Sequence, residues 1–299
     1  MKSVRFNFSN FDFIGQRKKF FAFSITITLL GILTLAIFGL NLGVDFKSGT
    51  TLDMTISKST TVSVAKATFA KTDYVPSQVT IGGTSNNRIS ARFKDTLTAN
   101  ELKSIITVFE KKYGTVSHEE NTVDASIARE FATKTILYIG IAALGIILYV
   151  TIRFEWRFAV AAIVALLHDA FIVVSLFSIF RLEVNLPFIA AILTIIGYSI
   201  NDTIVIFDRI RENLRFAKLK SFNDIIEVVN ISVRQTFVRS INTVITVLIA
   251  TVALLIFGSP AIRVFSMAML FGLISGAYSS IFIASPLWIA LKNRSLKKN

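Results

Sequence analysis

The chain has 299 residues, 53% of them hydrophobic and only 17% charged, with no cysteine and a formal net charge of +13. This balance describes a polytopic membrane protein and excludes a soluble globule; without thiols, disulfides and thiolate metal sites are excluded too. The basic residues cluster at the ends of apolar runs, where they act as topology signals, so the positive charge does not indicate a nucleic-acid partner.

Residues 1–19 are basic and Phe-rich, with Phe6, Phe8, Phe11 and Phe13 ahead of Arg17, Lys18 and Lys19. They read as a cytoplasmic interfacial segment leading into a first span at 20–40. That run is long enough to cross a bilayer and has no small-residue cleavage site after it, which argues against a cleaved signal peptide. Residues 41–130 change character. Val/Ile/Thr alternation at 51–56, 78–81 and 89–93 predicts strands, and 62–71 and 99–113 predict helices, the second with Thr98 as N-cap ahead of Glu101. Gly82-Gly83 with Asn86-Asn87 predicts a hairpin turn. With an extended stretch from Thr115, the order is that of a split βαβ, ferredoxin-like α+β module.

Five more apolar runs follow, at 131–150, 158–180, 186–207, 240–257 and 264–291, the last long enough to tilt or break. Six transmembrane helices put both termini on one side. Eighteen Lys/Arg fall on that side, counting the tail at 292–299, against only Arg181 and Arg263 in the opposite short joints. The positive-inside rule places both termini in the cytoplasm and the 41–130 domain outside. The 208–239 joint reads as a cytoplasmic loop carrying an amphipathic helix. Ser221 and Asp224 suit a capping box, and Phe222, Ile225, Ile226, Val229 and Val233 repeat at helical spacing. Lying on the membrane surface, that helix covers the base of the bundle or docks a partner.

The polar groups within the spans carry the functional signal. His168-Asp169 lies about eleven residues into its span, ~16 Å deep. Thr194, Tyr198 and Asp202 recur at i, i+4 and i+8, with Asn201 beside the acid. Arg239 opens the next span, and Asn242, Thr243 and Thr246 continue its stripe. The last span carries Gly272 and Gly276 in a GxxxG spacing with Ser275, Ser279 and Ser280.

Most of these have a structural explanation. Membrane serines and threonines usually bond backbone carbonyls, and GxxxG is a packing motif. His168 and Asp169 are sequence neighbours pointing about 100° apart, not a ready-made pair, so tethering stays open beside function. Asp202 is different. A charged acid at the centre of a span costs about 2.5–3.5 kcal/mol on an insertion scale and needs a partner, a proton or a water-filled cavity. Arg239 sits at the corresponding end of the adjacent antiparallel span. The two are read either as a structural salt bridge or as a protonatable acid whose pairing with Arg239 changes on taking up a proton. Asp208, Arg209, Arg211 and Glu212 read as a solvated helix end. No Gly-rich phosphate loop, nucleophile elbow or zinc spacing occurs, and there are only two histidines, His118 and His168. No enzyme, cofactor or metal is expected, the proton alone serving as coupling ion.

The stretch GYSINDTIVIFDRIREN (197–213) resembles the fourth-span signature of the SecF family, the export-translocase accessory subunits. VDFKSGT (44–50), NTVDASIAREFATK (121–134), LLHDAF (166–171) and RQTFVRSINT (234–243) match in family order and cover nearly the whole chain. The resemblance implies a six-span half of the fold shared with resistance-nodulation-division exporters, seated in a bacterial or archaeal plasma membrane. It implies SecD as the other half, and the SecYEG channel and a translocating preprotein as further partners. The family's proton-path acid falls on Asp202 and its arginine on Arg239, with Tyr198, Asn201, Thr243, His168 and Asp169 as possible supporting groups. One departure is visible: the family's Asp-Phe-x-Gly-Gly reads Asp45-Phe46-Lys47-Ser48-Gly49 here, which bears on the tightness of that turn. Two other readings stand beside a proton-driven export subunit. A small-molecule exporter keeps the chemistry and changes the cargo, against which the small outer domain argues; a non-conducting translocase scaffold makes the charges structural.

Overall fold

The computed structural model describes residues 12–83, 85–219 and 221–296. The first eleven residues of the expected interfacial segment, with Phe6, Phe8 and Phe11, lie outside the described residues. Phe13 and Ile14 are buried among the bundle side chains. Asn230 fixes them there by accepting from the Ile14 amide at 3.2 Å and donating to Asp12 Oδ1 at 2.8 Å.

Helix α1 (Arg17–Phe38) leads to a short strand β1 (Asn41–Leu42) and a single turn α2 (Val44–Lys47). The outer domain follows as β2 (Gly49–Thr55), α3 (Val62–Phe69), β3 (Gln78–Gly82), β4 (Arg88–Phe93), α4 (Ala99–Tyr113) and β5 (Ser117–Val123). The bundle resumes with α5 (Ala125–Arg153), α6 (Trp156–Ile179), a short strand β6 (Glu183–Val184), α7 (Leu186–Phe216) and α8 (Phe222–Phe257). The last span begins as α9 (Pro260–Ser279), passes through a π-helical turn at Ser280–Ala284 and ends as α10 (Ser285–Leu296). Among the described residues, six helical stretches are long and apolar enough to cross a membrane.

The outer domain has the expected strand–helix–strand–strand–helix–strand order. Its sheet runs β3-β4-β2-β5, antiparallel at every pairing. Alternation divides its faces: Leu52, Met54, Ile89 and Ala91 bury against Phe69 of α3 and Phe109 of α4, while the side chains between them are polar. The hairpin turn lies where expected, with positive φ at Gly83 and Asn86. Glu101 caps α4 by accepting from the Thr98 amide at 2.7 Å. The polar face looks onto the membrane bundle. β1 pairs in parallel with β6, tying the exit of α1 to the α6–α7 joint, and Arg92 donates to Asn41 Oδ1 and to the Leu42 carbonyl.

The 48–49 turn forms with a serine in a conformation that favours glycine. Ser48 sits at φ 60°, ψ 167°, and Gly49 at φ 120°. A Cβ at residue 49 would fall 2.4 Å from the Phe93 carbonyl oxygen, so Gly49 is required by close approach as well as by its dihedral.

In the bundle, α6, α7 and α9 are the inner helices, with Phe177, Phe188, Ala191, Ile195, Ala268 and Leu273 packed between them. α5 instead leaves apolar side chains bare, Ile136 at 75% and Ile152 at 79% exposed, as lipid-facing helices do. The joint expected at 208–239 is corrected. α7 continues to Phe216, and the helix begun by the Ser221–Asp224 capping box runs unbroken through the predicted start of a span at 240 to Phe257. The charges at Arg234 and Arg239 suggested a boundary, but nothing in 222–257 breaks a helix, and long polar side chains sit comfortably where one leaves the bilayer.

Candidate functional site

Two polar centres lie within the bundle, and they satisfy their acids in opposite ways. The first is Asp169, fully buried on α6. Three serine hydroxyls converge on it: Ser199 of α7 and Ser279 of α9 donate to Oδ2, each at 2.6 Å, and Ser275 of α9 donates to Oδ1 at 2.7 Å. His168 Nδ1 adds a 3.2 Å contact to Oδ1, so the two neighbours do form a pair. A helical twist of ~100° separates their Cα–Cβ vectors, but the side chains fold back towards each other. The carboxylate ties three helices together and leaves neither oxygen wanting.

Close helix approach makes this possible. A Cβ at Gly272 would lie 2.3 Å from the Ile195 side chain, and one at Gly276 would lie 3.2 Å from Ser199 Cβ. The GxxxG face therefore lays α9 directly on α7 and brings Ser275 and Ser279 within reach of Asp169. The π-helical turn begins immediately after Ser279. The Ser280 hydroxyl meets Thr203 Oγ1 at 2.8 Å and the Ser199 carbonyl at 3.5 Å, while Ser285 donates to the Ser280 carbonyl five residues back.

The second centre is Asp202 of α7. It lines a cavity of about 270 Å³ with Tyr198, Asn201, Thr243 and the Gly272–Gly276 edge of α9. Its Oδ2 is buried and makes no hydrogen bond within 3.5 Å; the buried Ser240 hydroxyl of α8 makes none either, although it faces the Asp202 carboxyl closely enough to interact with it. Arg239 is near enough to act on Asp202 electrostatically, but the two make no ion pair in this conformation. Thr243 bonds back to the Arg239 and Ser240 carbonyls and Thr194 to that of Ala190, the backbone role usual for membrane threonines. Tyr198 is 43% exposed, and Asn201, Thr243 and Arg239 are also exposed.

The structure thus gathers Tyr198, Asn201, Asp202 and Thr243 in one cavity, with Arg239 outside its lining, and assigns His168 and Asp169 to a separate centre. Ser199 belongs to both, since it bonds Asp169 and lines the Asp202 cavity. Sequence reasoning did not single it out, because a lone serine in an apolar helix carries no distinguishing signal. The i−3 spacing from Asp202 was the only available hint. Among the described residues no cluster of His, Asp and Glu has the arrangement of a metal site.

Residues 103–294 match the family described as protein export membrane protein SecD/SecF, C-terminal, and residues 34–60 match the SecD/SecF GG motif. The chain is 47% identical to protein translocase subunit SecDF of Bacillus subtilis over 98% of its own length, but spans only 40% of that relative. It is 44% identical to protein translocase subunit SecF of Alicyclobacillus acidocaldarius, covering 96% of this chain and 95% of that one. The crystal structure of SecDF from Thermus thermophilus, a translocon-associated membrane protein, superposes with a TM-score of 0.84 at 32% identity, over 95% of this chain and 39% of that one. By a family match over most of its length and near-complete coverage of a SecF relative, the chain belongs to the SecD/SecF family of protein export membrane proteins.

Proposed function

We propose that this chain is a SecF-type subunit that works with SecD beside the SecYEG channel and uses the proton-motive force to assist preprotein export. In this reading both termini are cytoplasmic and the outer domain lies on the far side of the membrane. The observation that carries it is the state of Asp202: an intramembrane carboxylate with an unpartnered buried oxygen, opening on a cavity between α7, α8 and α9. Asp169 offers no such vacancy. The chain aligns with 40% of a SecDF relative and with 95% of a SecF relative, which supports the SecF-type reading.

Asp202 is the proton carrier and Arg239 its electrostatic partner. Ionised, Asp202 attracts the guanidinium one residue from Ser240; protonated, it does not, and the packing of α7 on α8 shifts. α8 is a single helix from the cytoplasmic joint to Gly258, whose carbonyl accepts from Arg88 of β4 at 3.1 Å, giving a mechanical route to the outer domain. One charge crossing 100 mV supplies about 2.3 kcal/mol, enough to bias two domain positions by roughly fifty-fold. No cofactor is needed beyond the proton.

The test is preprotein translocation in membranes with and without a proton gradient, comparing wild type with Asp202→Asn and Arg239→Met at matched abundance and assembly. Both variants are expected to assemble and to lose the gradient-dependent step. Wild-type export by both would establish Asp202 as a structural acid and favour a scaffold role, of which Asp169 already gives one example in this bundle.

A further inference from the structure

A second cavity, about 690 Å³, lies between the polar face of the outer sheet and the membrane bundle, and its charges are segregated. At one end Arg92 stands among Asp53, Glu119 and Glu183. At the other, Arg88 and Arg263 stand together, and among the described residues no carboxylate is paired to either. Arg88 is the cross-strand partner of Gly82, and Arg263 Nη1 packs where Gly82 lacks a side chain, 3.4 Å from the position of a Cβ there. The guanidiniums are close enough to repel each other. Each gives one bond to a backbone carbonyl at the end of α8: Arg88 to Gly258 just after the helix at 3.1 Å, Arg263 to Ile256 in its last turn at 3.4 Å. Arg263 Nε is buried with no partner at all.

Two neighbouring guanidiniums with spare donors and no counter-ion describe half of an anion site. The level in the membrane identifies the anion. The joint that holds them ends a span, and Phe257 and Ile256 beside the cavity are 81% and 45% exposed, an apolar surface suited to acyl chains directly below two cations. We propose that Arg88 and Arg263 bind the phosphate of an anionic phospholipid, clamping its headgroup between the β3–β4 hairpin and the α8–α9 joint. The lipid then bridges the outer domain to the end of α8 and neutralises a repulsion that the protein leaves uncompensated.

The experiment is native mass spectrometry of the full chain in detergent, titrated with phosphatidylglycerol or with inorganic phosphate. It compares wild type, the Arg88→Gln/Arg263→Gln double variant and Arg129→Gln, an exposed arginine elsewhere on the chain. Wild type and Arg129→Gln are expected to retain phosphatidylglycerol, with about tenfold weaker retention in the double variant. Inorganic phosphate is expected to bind none of them measurably. Equal lipid retention by wild type and the double variant would overturn the proposal; phosphate binding as strong as lipid binding would overturn its lipid source. Should the double variant fail to fold, Arg263→Gln alone carries the same comparison, with a smaller expected loss.

Discussion

Among single residues, Asp169 and Asp202 show how one side-chain type meets two different surroundings on two helices of the bundle. Asp169 is enclosed by hydroxyls from α7 and α9. Replacing it with alanine leaves the buried Ser199 and Ser275 hydroxyls without this acceptor and Ser279 with only the Gly276 carbonyl, and the expected cost is about 3 kcal/mol, read as a lower Tm in detergent. Asp202→Asn breaks no comparable set of hydrogen bonds and is expected to change stability by under about 1 kcal/mol, with little shift in Tm, while abolishing gradient dependence. Comparing the two Tm values therefore separates a structural acid from a functional one. Ser48 carries a third prediction: Ser48→Gly relieves a backbone conformation costing about 1–3 kcal/mol and should raise Tm, whereas Gly49→Ala should lower it through the collision with the Phe93 carbonyl.

The elements show which local signals can be trusted. Thr98/Glu101 and Ser221/Asp224 marked helix starts correctly, because a cap is a local chemical solution to unsatisfied amides. The end of α7 and the continuity of α8 were not legible. A charged run such as Asp208–Arg211 reads as an exit from the helix, yet charged residues form helix as readily as apolar ones once water is available. The π-helical turn after Ser279 had no signature, since a one-residue bulge is chosen by what α9 must meet on α6 and α7. Gly272 tests that contact. Gly272→Leu should force α9 away from Ile195, cost about 1–3 kcal/mol and draw Ser275 and Ser279 off Asp169. Faster hydrogen exchange across α7 and α9 would report it.

At the scale of the whole molecule, the polar face of the outer sheet bonds the bundle through Arg88 and Arg92, and a small apolar cluster of Val44, Val123 and Ala128 packs where β5 leads into α5. Arg92→Ala removes its bonds to Asn41 and Leu42 and should raise hydrogen exchange at β1 and β6 while leaving α6 unchanged. Burial holds the Asp53 carboxyl above its ordinary 3.8, with the Glu119 charge adding to the shift, and burial raises Glu183 likewise. For an acid with a raised folded-state pKa, the folded state binds the proton more tightly. Its stability penalty is absent below the unfolded value and grows as pH rises through the folded value. Asp53→Asn is thus expected to stabilise the protein by about 1 kcal/mol near neutral pH, with the difference vanishing on acidification. Thermal unfolding of both proteins across pH checks the sign.

The amino-acid sequence by itself determined the membrane class, the six spans and the order of elements in the outer domain, and it singled out Asp202 as a costly charge within a span. Each of these rests on a local cause: an apolar run long enough for a bilayer, an alternation, a cap, or a charge where charge is expensive. Only the tertiary structure decided what each polar group meets. Asp169 draws its partners from 30, 106 and 110 residues away, and Arg88 meets a carbonyl 170 residues on. Serine, threonine and arginine are chemically able to bond almost any neighbour. Their roles are set by the packing of helices and sheet that places one acceptor, and not another, within about 3 Å.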